Sequence, residues 1–155
     1  SYGTTDVTRT ISFKEQPKNI KNTFTRVLKG HIAVATANIS KQKTGSNIDK
    51  LARKYLKEVK KDFSHGTGHG VGYFLNVHEG PQAISRNNKI KLKAGMILSN
   101  EPGYYERGKF GLRIENLIFV ILANRRKIQI FSNRIIIQEE SQSTTEDQSN
   151  KCNSK

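Results

Sequence analysis

The chain has 155 residues, enough for one domain, but only 34% are hydrophobic and there is no Trp, which is lean for an independent fold and points to a missing layer or partner surface. No apolar run of about eighteen residues, no charged-then-apolar leader and a single cysteine, Cys152, exclude a membrane-spanning helix and an internal disulfide framework, and favour a reducing, cytoplasmic setting. The net charge of +14 raises nucleic acid as a partner, but Lys is spread beside Asn and Ile with no basic stripe interleaved with aromatics, so the charge speaks to solubility and weak association.

The opening stretch, residues 3–13, is rich in Thr and other β-branched residues and predicts a strand, with Asp6, Thr8 and Thr10 on one face. Pro17 suits a first helical position, and Ile20, Phe24, Val27, Leu28, Ile32, Ala35 and Ile39 follow at helical spacing. A polar link over 40–45 leads to a second helix, with Ser46 as N-cap and Asp49 three residues on in the manner of a capping box. Its buried stripe is Ile48, Leu51, Ala52, Tyr55, Leu56, Val59 and Phe63. Residues 65–72 hold four glycines and read as a turn, residues 73–77 as a short strand. Residues 96–100 predict a strand ended by Glu101-Pro102-Gly103, residues 108–111 a turn, and residues 112–122 the most apolar strand. Residues 128–137 hold a further strand pattern, and from Glu139 the chain is polar without periodicity, as a disordered tail would be. Strand, two helices and several strands define a mixed α+β class.

Three of the four histidines, His65, His69 and His78, fall within fourteen residues, the first two in glycine-rich sequence, which favours a site over three unrelated structural histidines. Two carboxylates stand where strands do not readily accept them: Glu101 at a strand end and Glu115 inside the apolar run. A buried carboxylate costs several kcal/mol unless it is paired or holds a cation. Arg113 lies two residues from Glu115 on the same strand face and is a candidate partner, an ordinary exposed ion pair being the alternative. With Asp6, the set Asp6, His69, Glu101 and Glu115 is oxygen-rich and suits a Mn²⁺-like divalent ion better than a thiolate zinc site. Carboxylates of this kind can bridge two ions, and ions about 3.5–4 Å apart share and activate a water.

Five motifs in order resemble one family: residues 3–10 (GTTDVTRT), 65–72 (HGTGHGVG), 76–81 (NVHEGP), 99–105 (SNEPGYY) and 110–116 (FGLRIEN). They are similar to the Xaa-Pro aminopeptidases (aminopeptidase P) of the creatinase and methionine-aminopeptidase superfamily, over residues 3 to about 118. The resemblance implies an α+β pita-bread fold and a two-metal hydrolase that removes the first residue of a peptide when proline comes second. The metals it implies are Mn²⁺ first, with Zn²⁺ or Co²⁺ as alternatives. It assigns Asp6, His69, Glu101 and Glu115 as metal ligands, Glu115 bridging and Glu101 also handling the proton of the water. It assigns His65 and His78 to substrate binding and proton movement, with His78 stabilising charge on the carbonyl oxygen, and Arg113 to steadying the metal-holding carboxylates.

The family pattern has two aspartate ligands on paired strands. Asp6 matches the second, and the first is expected upstream of Ser1, together with first strands and an amino-terminal domain that this sequence does not contain. The resulting organisation is a truncated catalytic domain over 1–123, a divergent segment over 124–138 and a disordered polar tail over 139–155. Activity is expected to be impaired in the chain alone and completed by a separate chain carrying the front half. An inactive remnant and a pita-bread binding module are the alternative readings. A peptide beginning Xaa-Pro is the expected partner, a homodimer is compatible with the family, and neither a membrane nor nucleic acid is expected.

Overall fold

The computed structural model describes residues 4–72, 76–121 and 128–130. Two helices lead the chain, α1 (Lys18–Ala35) and α2 (Gly45–Lys57), followed by β1 (Gly68–Val71), β2 (His78–Ile84), β3 (Ile97–Asn100), β4 (Gly103–Glu106), β5 (Phe110–Arg113), β6 (Asn116–Val120) and β7 (Ile128–Ile130). The mixed α+β class expected from the sequence is the class observed.

Five strands form one antiparallel sheet in the order β2-β1-β3-β6-β7, while β4 and β5 pair as a separate hairpin. The helices cover the sheet with Val27 and Val34 from α1 and Ile48, Ala52 and Leu56 from α2. These meet Ile84, Leu98, Ile118 and Val120 of the strands in a single buried cluster. Glycine sets the distance between the two helices: a Cβ on Gly30 would lie 2.2 Å from the carbonyl oxygen of Ala52, so only a bare Cα permits this backbone approach.

Several local expectations are corrected. The opening segment forms no strand over residues 4–13. It runs beside the β5–β6 junction, its Thr8 carbonyl accepting the Glu115 amide (3.2 Å) and its Thr10 hydroxyl bonding both main-chain groups of Arg113. Pro17 is the N-cap of α1 rather than its first residue, and the helix ends at Ala35, short of Ile39. Thr44, not Ser46, caps α2, its hydroxyl accepting the Asn47 amide at 3.4 Å. Asp49 faces inward to Arg53 instead of back to a cap.

The glycine-rich stretch is not one turn, since Gly68–Val71 is strand β1 between β2 and β3. Glycine is there for proximity: a Cβ on Gly68 would sit 1.9 Å from the Ser99 carbonyl oxygen. The apolar run expected as one strand is two, β5 and β6, broken at Ile114 and Glu115. Of the further expected strands, residues 73–75 and 131–137 lie outside the described residues, as does the tail over 139–155; Ile128–Ile130 is strand. Among the described residues no helix is long and apolar enough to cross a membrane.

Candidate metal centre

The five-stranded sheet and the hairpin beside it bring the singled-out residues together. β1 carries His69, the residue after β3 is Glu101, the break before β6 holds Glu115, β5 ends on Arg113, and β2 opens on His78. The opening segment brings Asp6 alongside.

His69 is fixed at three points. Its amide donates to the Ser99 hydroxyl at 2.9 Å, its Nδ1 faces the Gly70 carbonyl at 2.9 Å, and its ring stacks tilted on that of His78 with centroids 4.0 Å apart. A carbonyl only accepts, so Nδ1 carries a proton and donates it. In a neutral ring Nε2 then presents a lone pair. Nε2 faces Asp6 Oδ2 (3.1 Å) and Glu101 Oε1 (3.4 Å). A lone pair facing two carboxylate oxygens is an electrostatic mismatch that a proton or a cation between them resolves.

Glu101 is nearly buried. Its Oε1 accepts from the Ser99 hydroxyl at 2.9 Å and its Oε2 from Arg113 Nη1 at 3.0 Å. The Arg113 pairing expected from spacing is therefore corrected: its direct partner is Glu101, because the chain bends between Arg113 and Glu115 and the two no longer share a strand face. Glu115 is fully buried and accepts the hydroxyl of Thr8. Burial pushes its carboxyl above the ordinary range, and the negative charges of Glu101 and Asp6 push the same way.

His65 stands at the far side of Arg113. Its Nδ1–H donates to the Gly66 carbonyl (2.7 Å) and its Nε2 accepts from the Tyr105 hydroxyl (3.0 Å), which in turn accepts from Arg113 Nε at 2.7 Å. Burial holds the imidazole below its ordinary range, and the Arg113 charge adds to this. An uncharged ring, with its accepting nitrogen turned to Tyr105, is thus the stable form near neutral pH.

All seven singled-out residues, Asp6, His65, His69, His78, Glu101, Arg113 and Glu115, belong to this linked set. The sequence reading did not single out Ser99, Thr8 or Tyr105. Thr8 shares the Asp6 face expected of the opening segment, and Ser99 and Tyr105 both lie inside the motif at 99–105, which is the signal that could have found them.

The donors form a cluster rather than a finished cage. Among the described residues no group of three His, Cys, Asp or Glu side chains stands arranged to hold a metal ion. Glu115 is engaged by Thr8, and Glu101 by Ser99 and Arg113. The donor chemistry itself fits a divalent cation. One imidazole nitrogen and several carboxylate oxygens converge, and a cation would remove the like-charge repulsion that adds to burial in raising Glu115.

Residues 1–121 match the model of metallopeptidase family M24, and the chain belongs to that family. A probable Xaa-Pro aminopeptidase P of Coprinopsis cinerea is 56% identical over 124 residues, covering 77% of this chain and 20% of the relative. Xaa-Pro aminopeptidase 1 of Dictyostelium discoideum is 51% identical over 121 residues, covering 76% and 19%. The chain thus spans about one fifth of the length of the curated relatives it matches.

Among solved structures, the X-prolyl aminopeptidase of Caenorhabditis elegans, described as a cytosolic enzyme with a di-nuclear active site, superposes with a TM-score of 0.74 at 42% identity. It matches 84% of this chain and 22% of its own. The prolidase of Pyrococcus furiosus superposes with a TM-score of 0.72 at 29% identity, matching 84% and 38%. The architecture is part of the pita-bread fold.

Proposed function

We propose that this chain supplies most of the active site of a divalent-metal aminopeptidase that releases the first residue of peptides with proline in second position. The observation that carries the reading is His69 Nε2 facing the Asp6 and Glu101 carboxylates, with Glu115 buried beside them. Asp6, His69, Glu101 and Glu115 would hold two divalent ions, Mn²⁺ being the first choice for so oxygen-rich a set. When bound, such ions supply Lewis acidity to a carbonyl and lower the pKa of water.

The chain's own residues do the rest. Glu101, steadied by Ser99 and Arg113, moves a proton between water and the leaving nitrogen. His78, exposed beside His69, donates to the carbonyl oxygen as charge grows there. His65, uncharged and oriented by Gly66 and Tyr105, contacts the substrate. The relatives named Xaa-Pro aminopeptidase support the proline specificity. The cytosolic nematode enzyme and the single cysteine support a cytoplasmic setting.

The test is release of the first amino acid from an Xaa-Pro peptide and from its Xaa-Ala counterpart, with Mn²⁺ and with EDTA. It is run with and without an added polypeptide carrying the portion of the relatives that precedes this match. Mn²⁺-dependent release confined to the proline peptide, and lost in Glu115→Ala, is the expected result. No release in any arm, or release that survives EDTA, refutes the proposal.

A further inference from the structure

Behind the loop that carries His65 lies a buried charged cluster that none of the chemistry above uses. Arg53 and Asp49, one turn apart on α2, are each 1% exposed. Arg53 Nε donates to Asp49 Oδ2 at 2.7 Å. Its Nη1 donates to Asp62 Oδ1 (2.7 Å) and to the Phe63 carbonyl (2.6 Å), and its Nη2 to the His65 carbonyl (2.7 Å). Its guanidinium lies 3.9 Å above the centre of the Phe63 ring. The other oxygen of Asp49 accepts the buried Thr67 hydroxyl at 2.6 Å. At the rim, Arg86 donates to Asp62 at 2.7 Å.

A buried ion pair is seldom there for stability, since desolvation offsets most of its attraction. What this one does have is direction. A guanidinium is a rigid planar fork, and this fork holds three residues of one loop, Asp62, Phe63 and His65, at fixed angles. The grip reaches the site by two routes. One runs through the His65 carbonyl and the Phe63 ring, against which the His65 ring packs with centroids 4.9 Å apart. The other runs from Asp49 to Thr67, whose carbonyl accepts the Glu101 amide at 2.7 Å.

We propose that Asp49 and Arg53 are positioning residues for the peptidase: a strut on α2 that sets His65 and the Glu101 main chain relative to one another without touching substrate. The proposal rests on the peptidase reading for its link to catalysis, and on geometry alone for its link to His65.

Two variants test it, each compared with the exposed Lys50→Ala as control. Arg53→Lys keeps the charge opposite Asp49 and loses the fork. Thr67→Val keeps the side-chain shape and loses only the hydroxyl on Asp49. The first readout is the ring Hε1 resonance of His65, assigned with His65→Gln, in the folded chain. It should move in both variants and stay fixed in Lys50→Ala. The second is steady-state kinetics on an Xaa-Pro peptide with Mn²⁺, corrected for the folded fraction. Misplacing acid–base groups acts on the reacting geometry, so kcat should fall about tenfold or more while KM stays within about twofold.

A His65 signal that stays put in the folded variants overturns the proposal, as does a moved signal with kcat unchanged in an active enzyme. If the wild type releases nothing under any condition, the peptidase reading has failed, and the resonance alone decides whether the strut sets His65.

Discussion

Glu115 shows how one side chain reports on what surrounds it. Its carboxyl is buried, accepts the Thr8 hydroxyl, and faces the charges of Glu101 and Asp6, so its proton is held more tightly in the folded chain than in the unfolded one. The ordinary glutamate value is 4.5. Above that pH the unfolded chain gives up a proton that the folded chain keeps, so this group lowers folding stability as pH rises from 4.5 through its raised folded value. In EDTA, replacing Glu115 by Gln removes that loss: urea unfolding at pH 5 and pH 7 should show a smaller decline between the two for Glu115→Gln than for the wild type. An equal decline would mean that the crowding is relieved in some other way. Glu115, Glu101, His65 and His69 were legible in the sequence because a carboxylate in an apolar run and histidines among glycines contradict their surroundings. The partner of Arg113 was not legible, because strand alternation pairs it with Glu115 and only the bend at Ile114 sends it to Glu101.

Elements place these groups, and the place where two strands nearly touch is the most exacting. Gly68 and Ser99 are neighbours across β1 and β3, and the hydroxyl of Ser99 bonds both the His69 amide and Glu101. A methyl at Gly68 would lie 1.9 Å from a main-chain oxygen, so β1 must move away from β3 to admit it. Gly68→Ala should therefore destabilise the chain by about 1–3 kcal/mol, the usual cost of overpacking. It should also lower divalent-cation affinity by more than a change of that size elsewhere, because the shift falls between His69 and Glu101. Calorimetric unfolding together with Mn²⁺ titration checks both, and Leu56→Ala, buried in α2 away from the donors and costing at least as much stability, serves as the control. The helices were readable from their periodicity, though the stripe left Leu28 and Ile32 partly exposed while Thr23, Gly30 and His31 are buried. Sequence spacing sees apolar side chains but not the close approach at Gly30 or the bond from Asn100 to the His31 carbonyl that turn the helix on the sheet. Strand β1 was missed for a related reason: its glycines look like a turn until a neighbouring strand explains why side chains are excluded there.

At the scale of the whole molecule, charge and topology bear on the same measurement. A chain with a net charge of +14 repels cations overall, so any stabilisation by a divalent ion has to come from a local concentration of donors that overcomes it. Asp6, His69, Glu101 and Glu115 come from the opening segment, β1, the end of β3 and the break before β6, and only the folded chain brings them together. A ligand that binds the folded and not the unfolded state stabilises by RT ln(1 + [L]/Kd), about 2.7 kcal/mol at a hundredfold excess over Kd. For a chain of this size that corresponds to a rise in Tm on the order of 5–10 °C. Mn²⁺ should produce such a rise, EDTA should reverse it, and it should be absent in His69→Ala and Glu115→Ala. Mg²⁺, which holds its waters and demands a stricter octahedron, should do less. The opening segment carries Asp6 and also presents Ile11 and Phe13, the latter 98% exposed, along an apolar groove of about 790 Å³ shared with α1 and β5. Ion binding through Asp6 should therefore order that segment as well, seen as slower amide exchange over residues 6–10 with Mn²⁺ than with EDTA. A rise in Tm without that protection would show that the ion is held by the strand-borne donors alone and that Asp6 stands outside its coordination.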